Sequence, residues 1–239
     1  MAATRIQRIF APIRRVTPAW FSDSIRSVGT AFLTPLYFSA RSGHFLSSLR
    51  RAAVDGRGQP LPWYTLPCID FLQLRDFKGK SVLEFGGGQS SVWWGRHAKD
   101  VMTFEGNPDW FNRIRTSMPA NVDLRLVKGT SPEERVKEIS EALSGVNRRV
   151  FDIVVIDGLD RRQLVPLACE HLAQGGIIIC DNAEGYGFHE AFRDRGLSRV
   201  DFYGHAPGVI LPHSTSILFR SNSWVFDHDS APIRVEYGW

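Results

Sequence analysis

The sequence predicts an α/β fold: a doubly wound sheet of seven strands, preceded by a helical extension. Two observations carry this prediction. From residue 61 onward, short runs rich in β-branched and aromatic residues alternate with helix-like segments. Three consecutive glycines, residues 86–88, follow the first of these runs. A glycine turn between a strand and a helix is typical of ligand sites at the carboxyl edge of a parallel sheet.

The predicted elements follow one another in a regular order. Five strands are predicted at residues 81–85, 101–105, 122–127, 151–157 and 176–181. The helices between them are predicted at residues 90–98, 108–117, 132–143 and 162–173. Two further strands, 199–203 and 215–220, are separated only by a loop that contains Pro207, Gly208 and Pro212. Because a short loop joins antiparallel neighbours, the last strand is expected to be antiparallel.

Charge divides the chain into two predicted parts. Residues 1–60 contain nine arginines and two aspartates, a net charge of +7, so residues 61–239 carry −3 of the total of +4. We therefore predict a basic, mainly helical extension over residues 1–60 and one catalytic domain over residues 61–239. A core domain that is neutral to acidic disfavours nucleic acid as a partner.

The start of the extension has an amphipathic pattern. Apolar residues recur at helical spacing between arginines, at Ile6, Ile9, Phe10, Ile13 and Val16. Two interpretations stay open: a helical cap on the fold, and a segment that contacts a membrane surface or directs transport. The longest uncharged run in the extension, residues 27–40, is too short to span a bilayer, which takes about 20 residues.

The cysteines indicate the compartment. Cys68, Cys169 and Cys180 are odd in number and lack the spacing of a disulfide framework or a zinc site. We expect a cytoplasmic protein that associates with membranes, if at all, through its extension. The sequence carries no signal for an oligomeric state.

The glycine loop lies between two acidic residues. Glu84 precedes Gly86, Gly87 and Gly88, and Ser90 opens the next helix. Glutamate before the loop suits a cationic ligand better than a pyrophosphate, and a dinucleotide fingerprint would place glycine where Ser91 stands. Glu105 ends the next strand, where a carboxylate characteristically binds the two hydroxyls of a ribose.

This order of acid, glycine loop and second acid resembles the class I S-adenosylmethionine-dependent methyltransferases, which have a Rossmann-like fold. The resemblance covers residues 63–220 and includes EFGGG at residues 84–88 and FEGNP at residues 104–108. It implies that the glycine loop binds the methionine part of the cofactor, Glu105 the ribose, and the turn Lys128-Gly129-Thr130 the adenine. Asp157 at the end of the fourth strand is a further candidate for cofactor binding.

Oxygen-bearing side chains end the fourth and fifth strands, at Asp157 and at Asp181-Asn182. These hard ligands suit Mg²⁺ or another divalent cation. The pattern resembles the metal-dependent catechol-type and caffeoyl-coenzyme-A-type O-methyltransferases, which implies a metal bound by Asp157, Asp181 and Asn182. Those families have a lysine base three positions after the first aspartate, where this chain has Asp160. The alternative is that these residues cap helices or hold the cofactor.

Several residues are candidates for the base that removes a proton from the acceptor. Without a metal, Asp157, Asp160 or His189 would take this role, and His205 and His213 flank the proline-rich loop where the fold usually admits substrate. Trp63 or Tyr64 is expected either over the sulfonium or packed in the core.

The predicted function is methyl transfer from S-adenosylmethionine to the oxygen of a small hydroxylated metabolite, a glycan or a lipid-linked acceptor. Nitrogen acceptors stay open. Two alternatives from other classes are an NAD(P)-dependent oxidoreductase and a non-catalytic module that binds the cofactor.

Overall fold

The computed structural model describes residues 18–146 and 150–227. The amphipathic run predicted at residues 6–16 lies outside them. The chain begins with two helices, α1 (Ala19–Arg41) and α2 (His44–Arg50), and a third, α3 (Leu66–Gln73), leads to the sheet. No helix in these residues is long and apolar enough to cross a membrane. The division into two parts at residue 60 stays a prediction.

The sheet contains seven strands in the order β3-β2-β1-β4-β5-β7-β6. The strands are β1 (Ser81–Phe85), β2 (Asp100–Glu105), β3 (Val122–Leu126), β4 (Phe151–Ile156), β5 (Leu172–Asp181), β6 (Ser198–Gly204) and β7 (His213–Phe219). Strands β1 to β5 pair in parallel, and β7 is antiparallel to both β5 and β6. The predicted doubly wound sheet and its antiparallel last strand are confirmed.

Helices alternate with the strands as predicted. They are α4 (Gln89–His97), α5 (Pro108–Ile114), α6 (Pro132–Ser144), α7 (Arg161–Glu170) and α8 (Phe188–Ala191), with single 3₁₀ turns at Arg115–Ser117 and Trp224–Phe226. A capping box starts α6, because Ser131 Oγ accepts from the Glu134 amide and Glu134 accepts from the Ser131 amide. The short helix α8 was not predicted, and α7 ends three residues earlier than expected because β5 begins at Leu172.

Two apolar cores cover the two faces of the sheet. Side chains alternate between them along each strand: Val82 and Ile153 belong to one core, and Leu83 and Val154 to the other. All five residues of β1 are buried. Burial on both faces likewise explains the continuous apolar runs of β4 and β5, at residues 153–156 and 177–180.

The loops after β1 and β4 touch through their backbones. Gly86 has φ = +100°, and a Cβ atom there would lie 2.5 Å from the Cα of Gly158. A Cβ on Gly158 would lie 2.8 Å from the Cα of Gly86. No side chain fits between two backbones at this separation. The contact therefore fixes the ends of β1 and β4 side by side, where the site lies.

We expect Gly86→Ala to lower the free energy of unfolding more than Gly196→Ala does. Gly196 also has positive φ (+66°), but open space surrounds it, so its substitution measures backbone strain alone, about 1–2 kcal/mol. The contact with Gly158 should add about 1–3 kcal/mol. Gly79, which has open space and ordinary φ, provides a neutral control. Equal urea midpoints for Gly86→Ala and Gly196→Ala would contradict the crowding argument.

Candidate functional site

A cavity of about 380 Å³ lies at the carboxyl ends of the central strands. This volume is within the range of small-molecule sites. The loop after β1 and the start of α4 form one wall, and the ends of β4 and β5 form another. The lining residues are Trp63, Gly86, Gly87, Ser90, Trp110, Asp157, Arg161, Asp181, Asn182, Val209 and His213.

Glu105 is fixed beside the glycine loop. Its carboxylate accepts a hydrogen bond from the Gly87 amide at 2.9 Å and another from the Asn107 amide at 2.7 Å. Burial raises the pKa of Glu105, and these amide bonds oppose the shift. The structure therefore brings together the second acid and the glycine loop, as the sequence predicted. Each carboxylate oxygen has lone-pair capacity left for a ligand.

Glu84 lies behind the loop instead of in the cavity. Its side chain is completely buried, and its Oε2 accepts from Ser91 Oγ at 2.5 Å and from Thr103 Oγ1 at 2.9 Å. Ser91 Oγ in turn accepts from the Gly88 amide at 3.0 Å. Glu84 therefore holds the glycine loop through Ser91.

The other oxygen of Glu84, Oε1, is buried without a hydrogen-bond partner among the described residues. Burial raises the pKa of Glu84 to about 7, although the hydrogen bonds from Ser91 and Thr103 oppose the shift. Because Oε1 is buried without a partner among those residues, the carboxyl takes up and loses its proton near neutral pH instead of near pH 4.5.

The turn after β3, predicted to bind adenine, uses its amides within the protein. The amides of Lys128 and Gly129 donate to Glu138, and the amide of Thr130 donates to Glu134. Neither Gly129 nor Thr130 is among the residues that line the 380 Å³ cavity. The contact between this turn and adenine stays a prediction.

Arg161 occupies the centre of the predicted metal site. Its Nη2 lies 2.9 Å from Asp157 Oδ1, and its Nη1 donates to Asn182 Oδ1 at 3.1 Å and to the Asp181 carbonyl at 2.6 Å. Its Nε donates to the Gly158 carbonyl at 3.1 Å. The guanidinium thus makes a charged contact with the end of β4 and hydrogen bonds with the end of β5.

The side chains predicted as metal ligands do not fit a divalent cation in this arrangement. Arg161 engages Asp157 and Asn182, and Asp181 Oδ1 accepts from Thr215 Oγ1 at 2.7 Å and lies 3.3 Å from His213 Nε2. Residues 18–146 and 150–227 contain no group of three or more His, Cys, Asp and Glu side chains arranged to hold a metal. A guanidinium, instead of a metal ion, supplies the positive charge at this edge.

The structure does not bring two of the predicted bases to the cavity. Asp160 forms a two-point ion pair with Arg135, at 2.5 and 2.9 Å, and lines a separate cavity of about 20 Å³. His189 is exposed on α8 and is not among the cavity-lining residues. The candidate roles of Asp160 and His189 are therefore corrected: an ion pair holds the first, and solvent surrounds the second. His205 is also exposed.

Asp157 and His213 are two of the titratable residues that line the cavity, and the pKa of each is shifted. Burial and the neighbouring Asp181 carboxylate raise the pKa of Asp157 to about 8, and the charge of Arg161 opposes this shift. The hydrogen bond to Asp181 raises the pKa of His213. Asp157 can therefore exchange a proton near neutral pH, whereas His213 retains its proton more readily than a free histidine.

Two aromatic residues near the first strand have different roles. Trp63 lines the cavity, and its Nε1 donates to the Pro207 carbonyl at 3.1 Å. Tyr64 is completely buried, and its hydroxyl accepts from Trp94 Nε1 at 3.2 Å. The sequence left two alternatives open for these residues. Tyr64 packs in the core, and Trp63 lies at the cavity.

Reasoning from the sequence missed one cavity residue and left another as one of several candidate bases. Arg161 was not considered, although its position four residues after Asp157, at a predicted helix start, was a readable signal for an ion pair. His213 was considered but not selected. Its contact with Asp181 depends on the pairing of β7 with β5, which places Thr215 opposite Asp181.

Comparisons with known proteins agree on the fold. No protein-family model matches the chain, and no curated protein sequence does. Among solved structures, the O-methyltransferase TomG from Streptomyces achromogenes, in complex with SAM, is 18% identical and matches over 77% of this chain and 94% of its own, with a TM-score of 0.51. The chain has a class I methyltransferase fold.

Two further solved structures match part of the chain. One is a precorrin-6y C5,15-methyltransferase from Geobacter metallireducens, 15% identical over 65% of this chain and 88% of its own, with a TM-score of 0.48. The other is the N-methyltransferase NodS from Bradyrhizobium japonicum, 17% identical over 63% of this chain and 91% of its own, with a TM-score of 0.41.

The buried Glu84 predicts a pH effect on stability. Because its folded pKa, about 7, lies above its ordinary value of 4.5, Glu84 contributes stability below pH 4.5 that is lost as pH rises to about 7. Glu84→Gln cannot ionise. Its free energy of unfolding, relative to the wild type, should therefore increase by about 3 kcal/mol between these pH values. Urea unfolding across this range measures the difference. The exposed Glu170→Gln should show no such trend, and a pH-independent difference for Glu84→Gln would contradict the assignment.

Proposed function

We propose that this protein is an S-adenosylmethionine-dependent methyltransferase that acts on the oxygen of a small hydroxylated metabolite, a glycan or a lipid-linked acceptor. One observation carries the proposal: a single cavity has the glycine loop on one wall and an ionisable carboxyl, Asp157, on the other. The first wall suits the cofactor, and the second suits the removal of a proton from an acceptor.

The first wall fits the cofactor in two respects. Gly86 and Gly87 present bare backbone to the cavity, and Glu105 stands beside them as the acceptor for ribose hydroxyls. Acidic groups dominate the surroundings: the charges of Asp181 and Glu84 raise the pKa of Asp157, and the charge of Glu105 raises the pKa of Glu84. A ligand with a positive charge would relieve this repulsion. Bound S-adenosylmethionine would supply an electrophilic methyl group on a sulfonium.

The second wall supplies the acid–base chemistry. Asp157 would accept the proton of the acceptor hydroxyl, because a base is most effective when its pKa lies near the working pH. Arg161 would orient Asp157 through the contact at 2.9 Å, and Asp181 would fix the ring of His213 beside the acceptor. The remaining requirement is alignment of the acceptor oxygen with the methyl group, at about 3–3.5 Å.

We propose a reaction without a divalent metal, because Arg161 already engages Asp157 and Asn182. The strand order opposes the alternative of a nicotinamide-dependent oxidoreductase. The classic dinucleotide-binding sheet has the order 3-2-1-4-5-6, whereas here the antiparallel β7 lies between β5 and β6.

Calorimetry tests cofactor binding. S-adenosylhomocysteine should bind the wild type, and Glu105→Ala should weaken binding at least tenfold, because each charge-assisted hydrogen bond lost is worth about 1.5–3 kcal/mol. The exposed Glu170→Ala is the control and should bind normally. No heat with either S-adenosylmethionine or S-adenosylhomocysteine would contradict the proposal. Heat with NAD alone would favour the oxidoreductase.

Turnover of a panel of hydroxylated acceptors with labelled S-adenosylmethionine tests the base. Asp157→Asn should lower kcat by about 10²–10⁴-fold, the usual contribution of a general base, and should still bind S-adenosylhomocysteine. For the wild type, kcat/KM should rise with pH up to about 8, because Asp157 must be unprotonated to act. His189→Ala is the control and should retain full activity.

The same assay tests the absence of a metal requirement. Activity should be unchanged after exhaustive chelation and should not increase when Mg²⁺ is added. Loss of activity on chelation and its recovery with Mg²⁺ would contradict this proposal. It would show that the reaction requires a metal, which would replace Arg161 as the partner of Asp157 and Asn182.

A further inference from the structure

Helix α1 exposes an apolar stripe. Five large apolar residues recur at intervals of four, three, four and four positions, which places them on one helical face. Their side chains are between 39% and 72% exposed: Phe21, Ile25, Val28, Phe32 and Leu36. The main packing partner of α1 within the described residues is α2. A contiguous exposed face of five large apolar residues on a protein surface indicates an interaction site.

Helix α2 and a neighbouring loop extend this apolar surface. Phe45 and Leu49 lie one turn apart on α2 and are 60% and 67% exposed. Beyond them, Ile210 and Leu211, in the loop between β6 and β7, are 84% and 72% exposed. We call the stripe of α1 together with Phe45 and Leu49 the α1–α2 surface.

The α1–α2 surface is connected to the mouth of the cavity. The His44 ring on α2 lies 3.3 Å from the Ala206 carbonyl and accepts from the Gly208 amide at 3.3 Å. The next residue, Val209, lines the cavity, and Trp63 at the cavity holds the Pro207 carbonyl. A partner on this surface would therefore lie beside the entrance to the site.

The positive charge around the α1–α2 surface indicates which kind of partner binds there. Arg41, Arg50, Arg51 and Arg57 are exposed, and the first 17 residues add four arginines and no acidic residue. Two copies of this surface would bring together like charges of +7 from residues 1–60. An anionic bilayer would instead neutralise the arginines while it buries the apolar stripe.

We infer that the α1–α2 surface binds the interface of an anionic phospholipid bilayer, with α1 lying along the membrane plane. The apolar stripe enters the boundary between headgroups and acyl chains, and the arginines contact lipid phosphates. Trp20 and Tyr37, both exposed, are the residue types that favour this boundary. Helix α1 lies on the bilayer and does not span it.

Vesicle sedimentation of the full chain tests this inference. The protein should pellet with vesicles that contain about 30% anionic phospholipid, at about 50 mM salt, and much less with zwitterionic vesicles or at about 500 mM salt. Pelleting that is equal with both lipid types and insensitive to salt would overturn the role of the arginines.

Matched variants test the stripe itself. Val28→Ser combined with Phe32→Ser should weaken vesicle binding at least tenfold. Val150→Ser is the control and should leave vesicle binding unchanged. Val150 is exposed to a similar extent, 46% against 57% for Val28, but lies outside the stripe. Unchanged urea midpoints would show that both variants fold. Undiminished vesicle binding by the double variant would overturn the inference.

A charge variant and an assembly measurement complete the test. Arg41→Gln combined with Arg50→Gln should weaken binding to anionic vesicles several-fold, whereas the exposed pair Arg193→Gln and Arg195→Gln should have little effect. Light scattering should give the same mass for the wild type and for the variant with Val28→Ser and Phe32→Ser, because we do not expect the stripe to form a dimer. Such a dimer without vesicle binding would mean that a second copy covers the surface, which contradicts the inference. None of these measurements depends on methyl transfer.

Discussion

The guanidinium of Arg161 is the interaction on which the candidate site depends. It bonds the backbone of the turn after β4 and the carbonyl of Asp181 at the end of β5, and it pairs with the Asp157 carboxylate. The ring of Tyr186 lies 4.4 Å from its charged carbon and covers it. A buried charge with several partners fixes geometry, and its removal would leave Asp157 as an uncompensated buried carboxylate.

The balance of charge around Arg161 explains the chemistry of the cavity. The charges of Asp181 and Glu84 raise the pKa of Asp157, and the charges of Arg161 and His213 lower it. Ionising Glu84 and Asp157 together is costly in a buried region. The pKa of Glu84 and the pKa of Asp157 consequently lie near neutrality, where small changes in ligand charge alter protonation.

The fold was predictable from the sequence because the pattern of apolar residues reflects which local segments are buried. The central strands are buried on both faces of the sheet, so each of them is visible as an apolar run. The sequence also located Glu105, the glycine loop and Asp157, since these positions follow directly from strand ends. It failed where partners come from distant elements. The pairing of Asp160 with Arg135, and of His213 with Asp181, depends on how α6 and β7 are placed, which the local sequence does not encode.

The close approach of Gly86 and Gly158 has a consequence for sequence comparison. Because each glycine lies against the backbone of the other, a larger residue at one position cannot be compensated by a change at its partner. Both positions should therefore remain glycine in any related chain in which the loops after β1 and β4 touch in this way. At an identity of 18% with a solved structure, residues are easily matched to the wrong positions in a sequence alignment. Two glycines that do not vary would provide fixed points for placing β1 and β4 in distant relatives.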